Sequence, residues 1–227
     1  MRQIMRADLG LRVAIVPVTP FQQNCAVIWN PRNMRGAVVD PGGDVEQILA
    51  AIDHAGITVE RIFLTHGHLD HAGGASALQR ALRERLGDES AVPIIGPDRR
   101  DAFLLSSISE QARLFGISGL ENAAPDRWLT EGEEVDIAGE KFSVIHCPGH
   151  TPGHIVFYNA KAGFAIVGDV LFYRSIGRTD FPYGDHEALL RAIHEKLLPL
   201  GDDVHFICGH GPGSRFGDER RHNPFLR

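Results

Sequence analysis

Short apolar runs cut by Gly and Pro open the chain. Val13–Val18, Ala26–Trp29 and Ala37–Val39 are β-branched or apolar stretches between turn residues, and they predict consecutive hairpins. In PGGDVEQILAAIDHAG the period changes. Val45, Ile48, Leu49 and Ile52 recur at i, i+3, i+4 and i+7, which predicts an amphipathic helix that Gly56 can cap. Ile62–Leu64 predicts a strand. A second helix follows, with Ala75, Leu78, Leu82 and Leu86 on one face and Arg80, Arg83 and Arg85 mostly outside. Val92–Ile95 predicts a strand, and residues 98–116 a helix with Leu104, Leu105, Ile108 and Phe115 apolar. Phe142–Ile145, Ile155–Tyr158, Phe164–Val167 and Val204–Ile207 complete the strands. Leu189, Leu190, Ile193, Leu197 and Leu198 mark a further helix. Strand pairs alternating with helices predict a mixed α/β sheet protein. No linker-like composition shift divides residues 1–227, so one domain is expected.

Polar residues at the ends of these strands change the picture. Ile62–Leu64 leads into His66, His68, Asp70 and His71, within LTHGHLDHAGG. The strand from Phe142 leads into HCPGHTPGH, Phe164–Val167 into Gly168-Asp169, and the last strand into CGHGP, with His210. Residues just past strand ends collect at one rim of a sheet, on rigid supports. Gly67 opens a turn between His66 and His68, so those two rings can converge on one ion. Asp70 and His71 are adjacent and diverge in a turn, which favours two neighbouring metals over one. Asp70 is expected just before a helix beginning near Gly73, where the helix dipole stabilises its charge. Imidazole and carboxylate donors suit Zn, Fe(II) and Mn. A structural zinc site is closed, four-coordinate and often cysteine-rich, whereas here the donors are too many for one closed site.

Net charge of −6 implies no basic face, so nucleic acid is not an expected partner. Three cysteines, Cys25, Cys147 and Cys208, are widely spaced and odd in number, which argues against a disulfide framework. They are expected to act as small apolar residues. The N-terminal stretch, interrupted by Asp8 and Arg12, does not read as a signal peptide, and no run is long enough to span a membrane. A cytoplasmic enzyme with no membrane partner is the expectation.

THGHLDH resembles the H-x-H-x-D-H signature of the metallo-β-lactamase superfamily. With CPGHTPGH, GDVLF and GHGP in that order, and with TPFQQNC, VDPGGD and RHNPFL around them, the chain resembles the type II glyoxalase (hydroxyacylglutathione hydrolase) branch over nearly its whole length. The resemblance implies an αββα sandwich of two mixed β-sheets with helices on the outer faces and metals at one edge. It implies two divalent metal ions, zinc first, with iron or manganese suited to the same donors. His66, His68 and His150 would bind the first, Asp70, His71 and His210 the second, and Asp169 both. His146 and His154 match no ligand position. The activity implied is hydrolysis of a glutathione thioester such as S-D-lactoylglutathione to glutathione and a 2-hydroxy acid. A metal-bridging hydroxide would attack the carbonyl, and Asp70 would also orient it or accept its proton. Longer members carry a C-terminal helical glutathione-binding domain. Too few residues follow His210 for one, so the short bacterial branch is expected. Arg178 falls roughly where those members have a basic glutathione contact, so it is a candidate substrate-binding residue.

Each feature has a plainer alternative. Arg178 could equally form a surface ion pair. Asp40 could be turn chemistry before Pro41-Gly42-Gly43, or a partner to a ligand histidine. Rival functions are a one-iron glutathione persulfide dioxygenase, another esterase, lactonase or β-lactamase of the fold, and a module that uses metal only to fold. A second-site His210 favours the dinuclear hydrolase over the one-iron enzyme.

Overall fold

The computed structural model describes residues 2–5, as main chain, and 10–227; Asp8 of the N-terminal stretch lies outside them. β1 (Arg2–Met5), β2 (Arg12–Val18), β3 (Gln23–Asn30) and β4 (Arg35–Val39) pair antiparallel in sequence. Helix α1 (Val45–Ala55) crosses over to β5 (Thr58–Phe63), which lies parallel to β4. The one-turn α2 (Leu69–Ala72) and α3 (Ala75–Leu86) lead to β6 (Ile94–Ile95), parallel to β5. The first sheet therefore runs β1-β2-β3-β4-β5-β6. After α4 (Ala102–Leu105) and α5 (Ile108–Phe115), the second sheet is built from β7 (Glu134–Ile137), β8 (Glu140–His146), β9 (Ile155–Asn159) and β10 (Phe164–Ile166). A two-stranded ribbon, β11 (Leu171–Phe172) and β12 (Ser175–Ile176), precedes α6 (His186–Ala192). β13 (His205–Ile207), β14 (Ser214–Arg215) and α7 (Phe216–His222) end the chain, and the second sheet runs β14-β13-β10-β9-β8-β7. This is the αββα sandwich that the resemblance implied.

The strands read as continuous apolar runs because both sheet faces are buried. Val13, Ile15, Ala26, Ile28, Ala37 and Val39 face the other sheet, where Phe142, Val144, Phe157 and Ile166 meet them. Phe63 and Phe157 touch edge-on across this layer, with ring centroids 5.5 Å apart. Val16, Val18, Val27, Trp29 and Val38 face outward onto Ile48 and Ile52 of α1 and Leu78 and Leu82 of α3. The outer face of the second sheet is covered by Leu189 of α6 and Phe216 of α7. In β5 the register steps from Gly36↔Val59 to Ala37↔Arg61. This bulge turns both Val59 and Ile62 toward the helix layer.

The helix expected over 98–116 is broken. A 3₁₀ turn (Arg99–Asp101) leads into α4, and α5 starts afresh at Ile108. Ser107 Oγ donates to the carbonyls of Phe103 and Leu104, and Ser106 Oγ to Phe103, so hydroxyls compete with the helical ladder at the break. Leu104, Leu105 and Ile108 are buried, but Phe115, in the last turn of α5, is exposed and meets Phe21 edge-on. Leu86 is likewise exposed, in the last turn of α3, which stops at Gly87 in the left-handed conformation. Among the described residues no helix is long and apolar enough to cross a membrane.

Candidate metal centre

Beyond β5 the chain runs Leu64-Thr65-His66-Gly67-His68 into α2. His68 is the N-cap residue, extended at φ −68° and ψ 150°. Asp70 therefore lies inside this short helix rather than ahead of one near Gly73. The helix dipole still favours its charge in the first turn, and the separate helix α3 begins only at Ala75.

Three imidazoles form one cluster. His68 Nδ1 lies 3.1 Å from His66 Nε2 and 2.9 Å from His150 Nε2. Asp70, His71 and His210 form a second, with His210 Nε2 3.2 Å from Asp70 Oδ2. Asp169, just past β10, faces members of both. Its Oδ1 is 3.3 Å from His71 Nε2, and its Oδ2 is 3.5 Å from His150 Nε2 and 3.6 Å from His210 Nε2. The structure thus brings together His66, His68, Asp70, His71, His150, Asp169 and His210.

These residues fit divalent cations by their unpaired atoms. His71 Nε2 and Asp169 Oδ1 are buried and have no hydrogen-bond partner. His150 donates from Nδ1 to the Arg178 carbonyl at 2.8 Å, so the lone pair sits on Nε2, turned into the cluster. Burial, then neighbouring imidazoles, pulls His66 well below the usual histidine range and His68 down to about 3. Burial also lowers His150. These three are neutral, as ligation requires. Burial would raise Asp169 and Asp70. The neighbouring His71 outweighs it at Asp169, and a hydrogen bond from His210 outweighs it at Asp70, so both are held below the ordinary carboxylate value.

Other side chains hold the donors in place. Asp40, directly after β4, is in the left-handed conformation, at φ 53°. Its carboxylate accepts from the Thr65 N–H at 2.8 Å and the Thr65 hydroxyl at 2.7 Å, and lies 2.9 Å from His71 Nδ1. It is both a turn residue and a partner to a histidine. His154 accepts from the Asp169 N–H at 3.0 Å and stacks on His66. His146 bonds the Pro152 carbonyl. Gly209 packs directly on the centre: a methyl there would lie 2.0 Å from Asp169 Oδ1.

Arg178 presents its carbonyl, not its guanidinium, to the centre. The guanidinium bonds both oxygens of Asp180 at 3.0 Å and lies over the Phe181 ring. Cys25, Cys147 and Cys208 are buried free thiols. Three residues escaped sequence reasoning. The Tyr183 hydroxyl lies 2.9 Å from His68 Nε2, Gln23 Nε2 lies 3.3 Å from His71 Nδ1, and Asp101 bonds the main chain at Gly67. Gln23 stands in the TPFQQNC stretch without a spacing that marks it. Tyr183 and Asp101 sit in segments with no ligand pattern at all.

The family model described as Metallo-beta-lactamase superfamily matches residues 18–210. A curated relative from Haemophilus influenzae, hydroxyacylglutathione hydrolase GloC, is 44% identical over 95% of this chain and 98% of its own. Among solved structures, the BLEG-1 B3 metallo-beta-lactamase superposes with a TM-score of 0.81 at 36% identity, covering 94% of this chain and 99% of that one. TTHA1623, solved in a di-iron-bound form, gives a TM-score of 0.80 at 34% identity, covering 94% and 100%. Overlapping donor clusters gathered at one rim of a double-sheet sandwich, together with a family match that spans them, leave one conclusion: the chain belongs to the metallo-beta-lactamase superfamily.

Proposed function

We propose that the chain is a dinuclear metallohydrolase that cleaves S-2-hydroxyacylglutathione, such as S-D-lactoylglutathione, to glutathione and a 2-hydroxy acid. The single observation that carries this is Asp169, whose carboxylate faces donors of both clusters. The Haemophilus relative, named a hydroxyacylglutathione hydrolase, supports the substrate class. His66, His68 and His150 would hold one ion and Asp70, His71 and His210 the other, with Asp169 between them. Two divalent cations there, zinc first or else iron or manganese, supply Lewis acidity and a water of lowered pKa.

The chain's own groups do the rest. Asp70, 3.2 Å from His210 Nε2, is the carboxylate that would orient a water and accept its proton. The water oxygen bonds to the thioester carbonyl carbon, the C–S bond breaks, and the sulfur leaves as thiolate. A parent thiol pKa of about 8.5 makes a strong general acid unnecessary. Arg178 is the candidate contact for a glutathione carboxylate, which would replace Asp180 on its guanidinium.

The test is hydrolysis of S-D-lactoylglutathione, read as loss of thioester absorbance, with ion content measured and chelation followed by add-back. Chelator-sensitive turnover with about two ions per chain is expected. No turnover in ion-replete protein sinks the thioesterase reading. The likeness to a B3 metallo-beta-lactamase makes lactam hydrolysis the second reading, and a chromogenic cephalosporin in the same assay separates the two.

A further inference from the structure

Asp101 is fully buried, yet it belongs to neither donor cluster. Its Oδ2 accepts from the Gly67 N–H at 2.8 Å and from the Thr151 hydroxyl at 2.7 Å. Its Oδ1 accepts from the Gly153 N–H at 2.5 Å. Gly67 lies between His66 and His68, and Thr151 follows His150. One carboxylate therefore ties the turn carrying two imidazoles to the loop carrying the third. The Gly153 carbonyl in turn accepts from the Asp98 N–H at 3.1 Å, so the tie is anchored at both ends of the 3₁₀ turn. The fit has no slack: a methyl on Gly67 would lie 3.2 Å from Asp101 Cβ, and one on Gly153 2.7 Å from its Oδ1. Asp40 braces the centre from a different side: it lies 2.9 Å from His71 Nδ1 and accepts from the Thr65 hydroxyl, which is 3.0 Å from His66 Nδ1.

We infer that Asp101 is the positioning residue of the three-histidine ion site: it sets His66 and His68 against His150 and leaves the Asp70–His71–His210 site to other partners. This rests on the two-ion reading above. The requirement is for a carboxylate, not merely for a polar side chain of that size. Three hydrogens point at two oxygens, so every position must accept. An amide fails in either orientation. With its oxygen on Gly153 its NH₂ opposes the Gly67 N–H, and with its oxygen on Gly67 the NH₂ opposes the Gly153 N–H.

The test is a Co(II) titration of apo wild type, Asp101→Asn and Thr151→Val, followed by visible absorbance and by ions bound per chain. His150→Ala, which deletes a donor of that cluster, identifies its absorption bands. In Asp101→Asn the three-histidine ion is expected to bind roughly 10–100-fold more weakly, with the other ion unchanged. Thr151→Val, which removes one of the three bonds and keeps the carboxylate, is expected to weaken the same ion by less. Wild-type affinities and bands in folded Asp101→Asn overturn the assignment, as does equal weakening of both ions. If Asp101→Asn does not fold, Thr151→Val decides: selective weakening supports the role, and an unchanged titration overturns it. Wild type that takes up fewer than two ions brings down the dinuclear reading and this assignment together, an outcome distinct from the others.

Discussion

Adding a single methyl at Gly209 separates the chemistry of this site from its stability. Gly209 has no positive φ, so alanine meets no backbone strain there. The obstacle is steric. The new carbon would lie 2.0 Å from Asp169 Oδ1 and 2.5 Å from His71 Cε1. A carbon–oxygen contact settles at about 3.3 Å, so the carboxylate must retreat by about 1.3 Å. The main chain cannot yield instead, because Gly209 donates to the Gly168 carbonyl at 2.8 Å and accepts from the Asn24 N–H at 2.7 Å. A misplacement of about 1 Å in a catalytic constellation costs about 100-fold, or about 2.7 kcal/mol of barrier. The stability cost is smaller. Overpacking of about 1–3 kcal/mol is partly offset by about 0.4–1 kcal/mol from the stiffer unfolded chain. Gly209→Ala is therefore expected to fold and to melt within about 10 °C of wild type, while kcat/KM for S-D-lactoylglutathione falls about 100-fold and ion content drops. Wild-type turnover and ion content in the folded variant would refute the reasoning, because Asp169 would then be free to move without consequence.

Three further outcomes are expected. Phe157→Ala empties a fully buried site between the sheets, against Phe63; a loss of about 3–5 kcal/mol should lower Tm by roughly 6–20 °C, and a shift of a degree or two in calorimetry would contradict the packing described. The thiols of Cys25, Cys147 and Cys208 are buried, and burial pushes each pKa up, to about 12 for Cys208. Alkylation at about pH 8 should leave the native protein unlabelled and modify all three after denaturation, whereas fast native labelling would show that the thiols are accessible. Arg178→Ala should raise KM for the glutathione thioester with kcat unchanged, since a substrate carboxylate contact away from the reacting carbon adds uniform binding; an unchanged KM would confine Arg178 to its ion pair with Asp180.

Sequence determined a good deal of this protein by itself. Apolar period marked the principal strands, α1 and α3, because burial on two sheet faces or one helix face repeats at a fixed spacing. It also brought His66, His68, Asp70 and His71 into one local segment, since residues no more than five apart need only a turn to meet. Short one-sided elements such as β7 and β14 left too little pattern to read. The break at Ser106-Ser107 was hidden because hydroxyl-to-carbonyl bonding is a local choice that periodicity does not register. Tertiary structure alone decided how the donors divide. His68 and His150 meet across 82 positions because the β5 and β8 exits share a rim, and Asp169 faces both clusters because β10 lies between β9 and β13. The same holds for Tyr183 on His68, 115 residues away, and for Asp101 beneath Gly67, 34 away. Each is made by a residue whose neighbours in sequence carry no ligand pattern. Such a contact is fixed by where the sheets and loops place two distant main chains, and nothing in the spacing of a linear sequence encodes that distance.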